Sequence, residues 1–122
     1  FQSVPGKKNR EFVKSFRQYC DKNNLPGGLK RVTDDPILWA YTGVYLWKGA
    51  VEKAGSFDID KIREEFAGIE FTKAPEGYVR IHENHHLWSK TRIGQAQVDG
   101  QYKVVHETEE LMEPDPFPEG YQ

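Results

Sequence analysis

The sequence predicts a mixed α/β chain: three helices, then an antiparallel β meander with a hairpin, then a Pro-rich tail. Three observations carry this. Apolar residues recur at helical spacing through the first 68 positions. The period then changes to two. An Asp99-Gly100 pair separates two strand-like runs, QAQV and QYKVV. A complete doubly wound domain would alternate strand and helix throughout. This order instead fits the closing portion of a larger α/β protein, so residues 1–122 are expected to form a single partial domain. In it, 1–4 is the end of a strand, 5–68 the helical part, and 69–122 the β part and tail.

The first helix is read from NREFVKSFRQYCDKNN, where Phe12, Val13, Phe16, Tyr19 and Cys20 share one face and Asn9 is a candidate cap. Pro26-Gly27-Gly28 stops it. The second, from VTDDPILWAYTGVYLWKGAVEKAG, has Asp35 as cap and Pro36 at the first helical position, where a missing N–H costs nothing. Ile37, Leu38, Tyr41, Val44, Tyr45 and Val51 make its stripe. Trp39 and Trp47 widen it, so enclosure on more than one side is expected. Gly43 inside this helix implies a close backbone neighbour, and Gly55 ends it. The third, FDIDKIREEFAG, is capped by Asp58, points Ile59, Ile62 and Phe66 inward, and stops at Gly68. Glu64 and Glu65 are adjacent and diverge by about 100° on a helix, so they form no acid/base pair.

In the second half, Phe71 opens a short extended piece, Pro75-Glu76-Gly77 is a turn, and Val79 and Ile81 alternate in YVRIH. Ile93 and Val98 belong to a rather polar strand, and Asp99-Gly100 predicts a two-residue type I′ turn. The tail, EPDPFPEGYQ, carries three prolines and is confined to an extended path on the surface.

The 122 residues, with their Trp, Tyr and Phe content, can bury a real core, and a net charge of −2 gives no general pull on nucleic acid or anionic lipid. The lone Cys20 allows no internal disulfide and no thiolate metal cluster. The most apolar run, 37–47, is too short to span a bilayer. The opening, FQSVPGKKNR, has no apolar h-region and no initiator Met. Phe1-Gln2-Ser3-Val4 reads as the end of a strand cut from something longer, a processed or truncated C-terminal piece.

HENHHLW, residues 82–88, places three histidines within five positions. His85 and His86 are adjacent and point to opposite sides of an extended chain, and no second ligand cluster exists, so no metal is expected. No GxSxG, HExxH, GxxxxGK[ST] or GxGxxG pattern accompanies them, and no catalytic residue is assigned. The reading is a tight loop with imidazoles bonded to backbone, Leu87 and Trp88 folding onto the core. Asp34 and Asp35 are read first as a helix cap, although a helix N-terminus also offers its positive end to a ligand carbonyl.

TDDPILWAYTGVYLWKGAVEKAGSFDIDKIREEF, APEGYVRIHENHHLWSKTRIGQAQVDGQYKVV and EPDPFP together resemble the C-terminal third of the urea- and short-amide-binding type I periplasmic binding proteins. These are ABC-transporter substrate-binding proteins in the superfamily of the branched-chain amino-acid binders. The resemblance covers essentially the whole chain. It implies a two-lobed fold with ligand closed in the interlobe cleft, and no enzyme activity and no cofactor. It places Gln2 and Ser3 at a hinge crossing and Asp35, Pro36, Ile37 and Trp39 at the cleft edge. The bulky Ile-Leu-Trp after Asp-Pro departs from the family's usual run. The implied partners are urea or a small amide, an ABC permease, and the missing N-terminal portion of the same protein or a homo-oligomer. Nucleic acid and membrane insertion are not implied. The implied location is the periplasm. A cytoplasmic amide-sensing regulator of the same fold is the alternative, and a hydrolase using His85 or His86 the remote one.

Overall fold

A computed structural model describes residues 2–120. In chain order these form α1 (Lys7–Lys22), a 3-10 turn (Gly28–Lys30), α2 (Asp35–Ala54), α3 (Ile59–Glu64), β1 (Glu70–Phe71), β2 (Val79–Ile81), β3 (Leu87–Trp88), β4 (Arg92–Ala96) and β5 (Tyr102–Glu107). The three helices, the meander and the hairpin appear in the predicted order. The β half divides into two sheets: an antiparallel β1-β2-β3 sheet, and a separate two-stranded ribbon of β4 and β5.

The core is small and local. Leu46 of α2 packs with Ala74, Val79 and Ile81, and Trp39, Phe66, Ile69, Phe71 and Leu87 close around them. Val79 and Ile81 face the helix while Arg80 between them faces solvent, as period-two alternation requires. On α2 the buried residues are Leu38, Thr42, Leu46 and Ala50, one row at a spacing of four. The predicted enclosure on more than one side is partial: the three-stranded sheet, α3 and Phe12 of α1 all meet α2, while Val44 stays 63% exposed and Trp47 46%. Gly43 has open space where a Cβ would stand, so no close neighbour explains it; the tight approach is at Gly49, whose Cβ would lie 3.1 Å from Ile69 Cγ2.

Several sequence assignments shift. Gly6, not Asn9, is the N-cap position of α1. Asn9 lies inside the helix, buried, its Nδ2 donating to the carbonyls of Gln2 (2.9 Å) and Val4 (2.8 Å). Tyr19 projects into solvent, since no element covers the outer half of the α1 stripe. Asp34, not Asp35, caps α2: its Oδ1 accepts from Ile37 N at 3.1 Å, and Pro36 falls within the first turn. Asp58 caps α3 as expected, accepting from Asp60 N and Lys61 N, but Ile59 turns outward at the first turn while Ile62 is buried. Residues 2–3 are a turn rather than a strand end; Phe1 lies outside the described residues.

The Asp99-Gly100 hairpin closes one residue wider than a type I′ turn. Gln97 N donates to Gln101 O, Gly100 N to Gln97 O, and Asp99 Oδ1 accepts from Gln101 N. Only Gly100 has positive φ (78°), so the loop is a three-residue type I turn with a left-handed closing position. The histidine loop repeats this pattern bond for bond. His82 N donates to His86 O, His85 N to His82 O, and Asn84 Oδ1 accepts from His86 N. His85, at φ 65°, holds the place that Gly100 holds in the other loop.

The tail runs extended to Asp115, then bends at Pro116-Phe117, where Asp115 Oδ1 accepts from Phe117 N.

Candidate functional site

The cap at Asp34 fixes the direction in which α2 enters the fold, and thereby its first turn. Asp35 and Trp39 are four residues apart and share one face. They form one wall of a pocket of about 200 Å³ completed by Val4, Glu76, Lys90 and Arg92. The opposite wall thus comes from the β half, and the site exists only because the ribbon folds back on the start of α2.

Arg92, at the start of β4, organises that wall. Its side chain is 10% exposed, beside a Glu76 side chain at 12%. Nη2 donates to Glu76 O at 2.7 Å, Nη1 lies 3.4 Å from Glu76 Oε2, and Nε donates to Glu107 Oε2. Lys90 Nζ reaches the other Glu107 oxygen at 3.2 Å. The guanidinium fork is therefore spent on protein acceptors. Partial burial pushes the Glu107 carboxyl up, but hydrogen bonds and charge from Arg92 and Lys90 outweigh it and hold the group below its usual range. Around the pocket, two cations (Lys90, Arg92) face two anions (Asp35, Glu76), so the walls are charge-balanced. A second depression, of about 530 Å³, continues past Glu107 and shares Glu76, Lys90 and Arg92 with the first.

Of the other residues expected at the cleft edge, Pro36 is exposed and Ile37 half-buried, beside the pocket but not lining it. Gln2 and Ser3 stand at a polar junction. The Gln2 Nε2 donates to Gln101 Oε1 at 2.9 Å, its Oε1 accepts from Arg17 Nη2 and Thr33 N, and Ser3 Oγ donates to Tyr102 O. The start of the chain is thus tied to the helical half and to the tip of the ribbon at once.

The histidine loop is held by bonds and ring contacts of its own. His82 Nδ1 accepts from Asn84 N, its Nε2 faces Glu113 Oε1 at 3.2 Å, and its ring lies 5.7 Å from that of Trp88. The His85 ring lies 5.8 Å from Phe66. The bond from His82 to backbone is as expected; His85 and His86 act through ring contact and backbone instead. Among the described residues no cluster of His, Cys, Asp or Glu could hold a metal ion.

A family described as the periplasmic binding protein domain matches residues 1–122. The chain belongs to that family. A curated relative is a limonene hydroxylase from Geobacillus stearothermophilus, 30% identical over 110 residues, which cover 90% of this chain and 19% of that protein. The chain therefore spans about a fifth of the relative it matches. A periplasmic binding protein domain is a ligand-binding domain and generally non-catalytic, although the relative is named a hydroxylase. Among the described residues no helix is long and apolar enough to cross a membrane.

The reading of the sequence missed Glu76, Lys90 and Arg92 as site residues. The only local signal was an arginine opening a polar strand, TRIGQAQ; its partners at 76 and 107 lie in a turn and in the next strand.

Proposed function

We propose that this chain is the C-terminal portion of a periplasmic solute receptor that binds urea or a short aliphatic amide between two lobes and delivers it to an ABC permease. Asp35, Pro36, Ile37 and Trp39 form an edge of the cleft, and Gln2 and Ser3 sit at the hinge. The observation that carries this reading is the charge balance of the Asp35–Trp39–Arg92 pocket. A planar amide is neutral and offers one carbonyl acceptor and N–H donors. The Asp35 carboxylate can accept an N–H, the Lys90 ammonium can donate to the carbonyl, and the Trp39 ring supplies an apolar face for the plane. An amino-acid carboxylate needs a surplus cation, and Arg92 is already engaged by Glu76 and Glu107. A terpene such as limonene, after which the relative is named, has no group to meet these charges, and burying them against hydrocarbon is costly.

Isothermal calorimetry on the protein carrying both lobes tests this, with urea, formamide, acetamide, leucine and limonene as titrants. Binding of an amide or urea, weakened at least tenfold by Asp35→Asn or Trp39→Ala, is expected. A response to leucine alone or limonene alone refutes the assignment.

A further inference from the structure

Between α1, Tyr41 of α2 and residues 73–75, the molecule has a groove of about 810 Å³, within the roughly 300–1,000 Å³ range of specific binding sites. Its floor is aromatic. Phe12 and Phe16 from α1 meet Tyr41 from α2, with ring centroids 4.9 Å apart for Phe12–Tyr41. Tyr41 continues to Tyr45, which stacks on Phe71 at 4.8 Å. Its rim is basic: Lys7, Lys8 and Lys73 against the single carboxylate of Glu11. Lys7 is spread toward Glu11 at 3.8 Å and Lys8 donates to Thr72 O, while Lys73 makes no ion pair among the described residues. An apolar trough with surplus positive charge fits a segment that presents an aromatic ring between acids.

The chain carries such a segment. Residues 107–120 hold six acidic side chains and no basic one, and Pro114, Pro116 and Pro118 alternate with Asp115 and Phe117. Phe117 is 76% exposed at the tip of the bend that Asp115 fixes. The root of the tail is fastened: Met112 N donates to Ser89 O, Asn84 Nδ2 to Pro114 O, and Glu113 meets His82. These bonds hold the root at the histidine loop and leave Phe117 outward, without a seat. Prolines on either side reduce the entropy lost on docking, which is how Pro-rich segments bind aromatic-lined grooves.

We propose that the lysine-rimmed aromatic groove receives residues 113–120 of a second copy of this chain, Phe117 entering between Phe12, Phe16 and Tyr41 and the acids at 115 and 119 facing Lys73 and Lys8. Each copy offers one groove and one tail, so the exchange closes as a two-fold dimer with two equivalent contacts. This inference stands apart from the amide reading, since the groove and the pocket share no residue.

Sedimentation velocity of the protein carrying both lobes over a concentration series, at low and high salt, tests it. A dimer is expected whose dissociation constant rises at least tenfold in Phe117→Ala and in Lys73→Glu. The charge swap Lys73→Glu with Glu119→Lys should recover most of that loss, and added peptide EPDPFPEG should dissociate the wild-type dimer. All three substituted side chains are on the surface, and circular dichroism checks that the fold is unchanged. A monomer up to about 1 mM, where an interaction is weaker than roughly 4 kcal/mol, overturns the proposal. So does a dimer indifferent to both single substitutions.

Discussion

Replacing Arg92 by leucine removes the side chain that joins the ribbon to the rest of the fold while keeping much of its apolar bulk. Glu76 then loses a 2.7 Å bond to its carbonyl and a 3.4 Å contact to its carboxylate, at a site where its side chain is 12% exposed. Breaking a fully buried pair costs about 3–5 kcal/mol, because a charge is left behind without its partner. Here the burial is incomplete and Glu107 retains Lys90. The Glu107 arm, half in water, counts for little after screening. The expected loss is therefore about 2–3 kcal/mol. For a chain of this length that is a fall in Tm on the order of 10 °C. A cycle with Glu76→Gln isolates the Arg92–Glu76 contribution: the double variant should lose about 1 kcal/mol less than the sum of the two single losses. Thermal unfolding followed by circular dichroism at low ionic strength is the suitable assay. Guanidinium would screen the pair, and urea, as the proposed ligand, would shift the equilibrium by binding. A loss below about 0.5 kcal/mol in Arg92→Leu, within the range of ordinary surface changes, refutes the account. So do single losses that simply add in the double variant.

Thr42 is fully buried on α2 and among the described residues its Oγ1 has no hydrogen-bond partner, so Thr42→Val, which keeps the shape, should raise stability by about 1 kcal/mol, measured as an increase in Tm. At the left-handed position of the histidine loop, His85→Gly should be more stable than His85→Ala by about 1 kcal/mol. Both lose the Phe66 contact and only alanine keeps the backbone strain; equal stability would mean the φ of 65° is not held. Tyr41 is pushed up to about 12 by partial burial and by its hydrogen bond to Tyr45, so absorbance titration near 295 nm should show a phenol near 12, apart from Tyr78, which is raised by its bond to Glu70, that Tyr41→Phe removes. The sign follows: in the unfolded chain this phenol ionises near 10, so between about pH 10 and 12 the unfolded state sheds its proton first and the fold loses stability as pH rises. Glu107 acts in the opposite direction: its depressed pKa stabilises the fold above the ordinary carboxylate range, and that contribution is lost as pH falls through the folded value.

Local chemistry made much of the fold legible. The Asp-Asp-Pro entry to α2, the left-handed Gly55 after it, the Asp58 cap and the alternation at Val79 and Ile81 each act within a few residues, and the structure has them within one position. What failed depended on a neighbour. A helical wheel shows which residues of α2 are apolar, not that the neighbours of α2 leave Val44 and Trp47 in water. Asn9 resembled a cap because asparagine often is one; its actual partners, the carbonyls of Gln2 and Val4, depend on how the preceding turn folds. Asp-Gly announced a hairpin correctly, but the bonds of Gln97 and Gln101 set its width. Asp35 and Trp39 are pointed to by the family resemblance and not by α2 itself, and the wall opposite them arrives from residues 76–92 and carries no local signature.

The β4–β5 ribbon is fastened at its base through Arg92 and Lys90 and at its tip through Gln101 and Tyr102, and these fastenings are polar. Ile93, Val98 and Val105 are already in water. Swinging the ribbon away would expose charge rather than hydrocarbon, and so would carry little change in heat capacity. The position of this arm should therefore respond weakly to warming and strongly to ionic strength, a thermostatically indifferent joint governed by the salt around it.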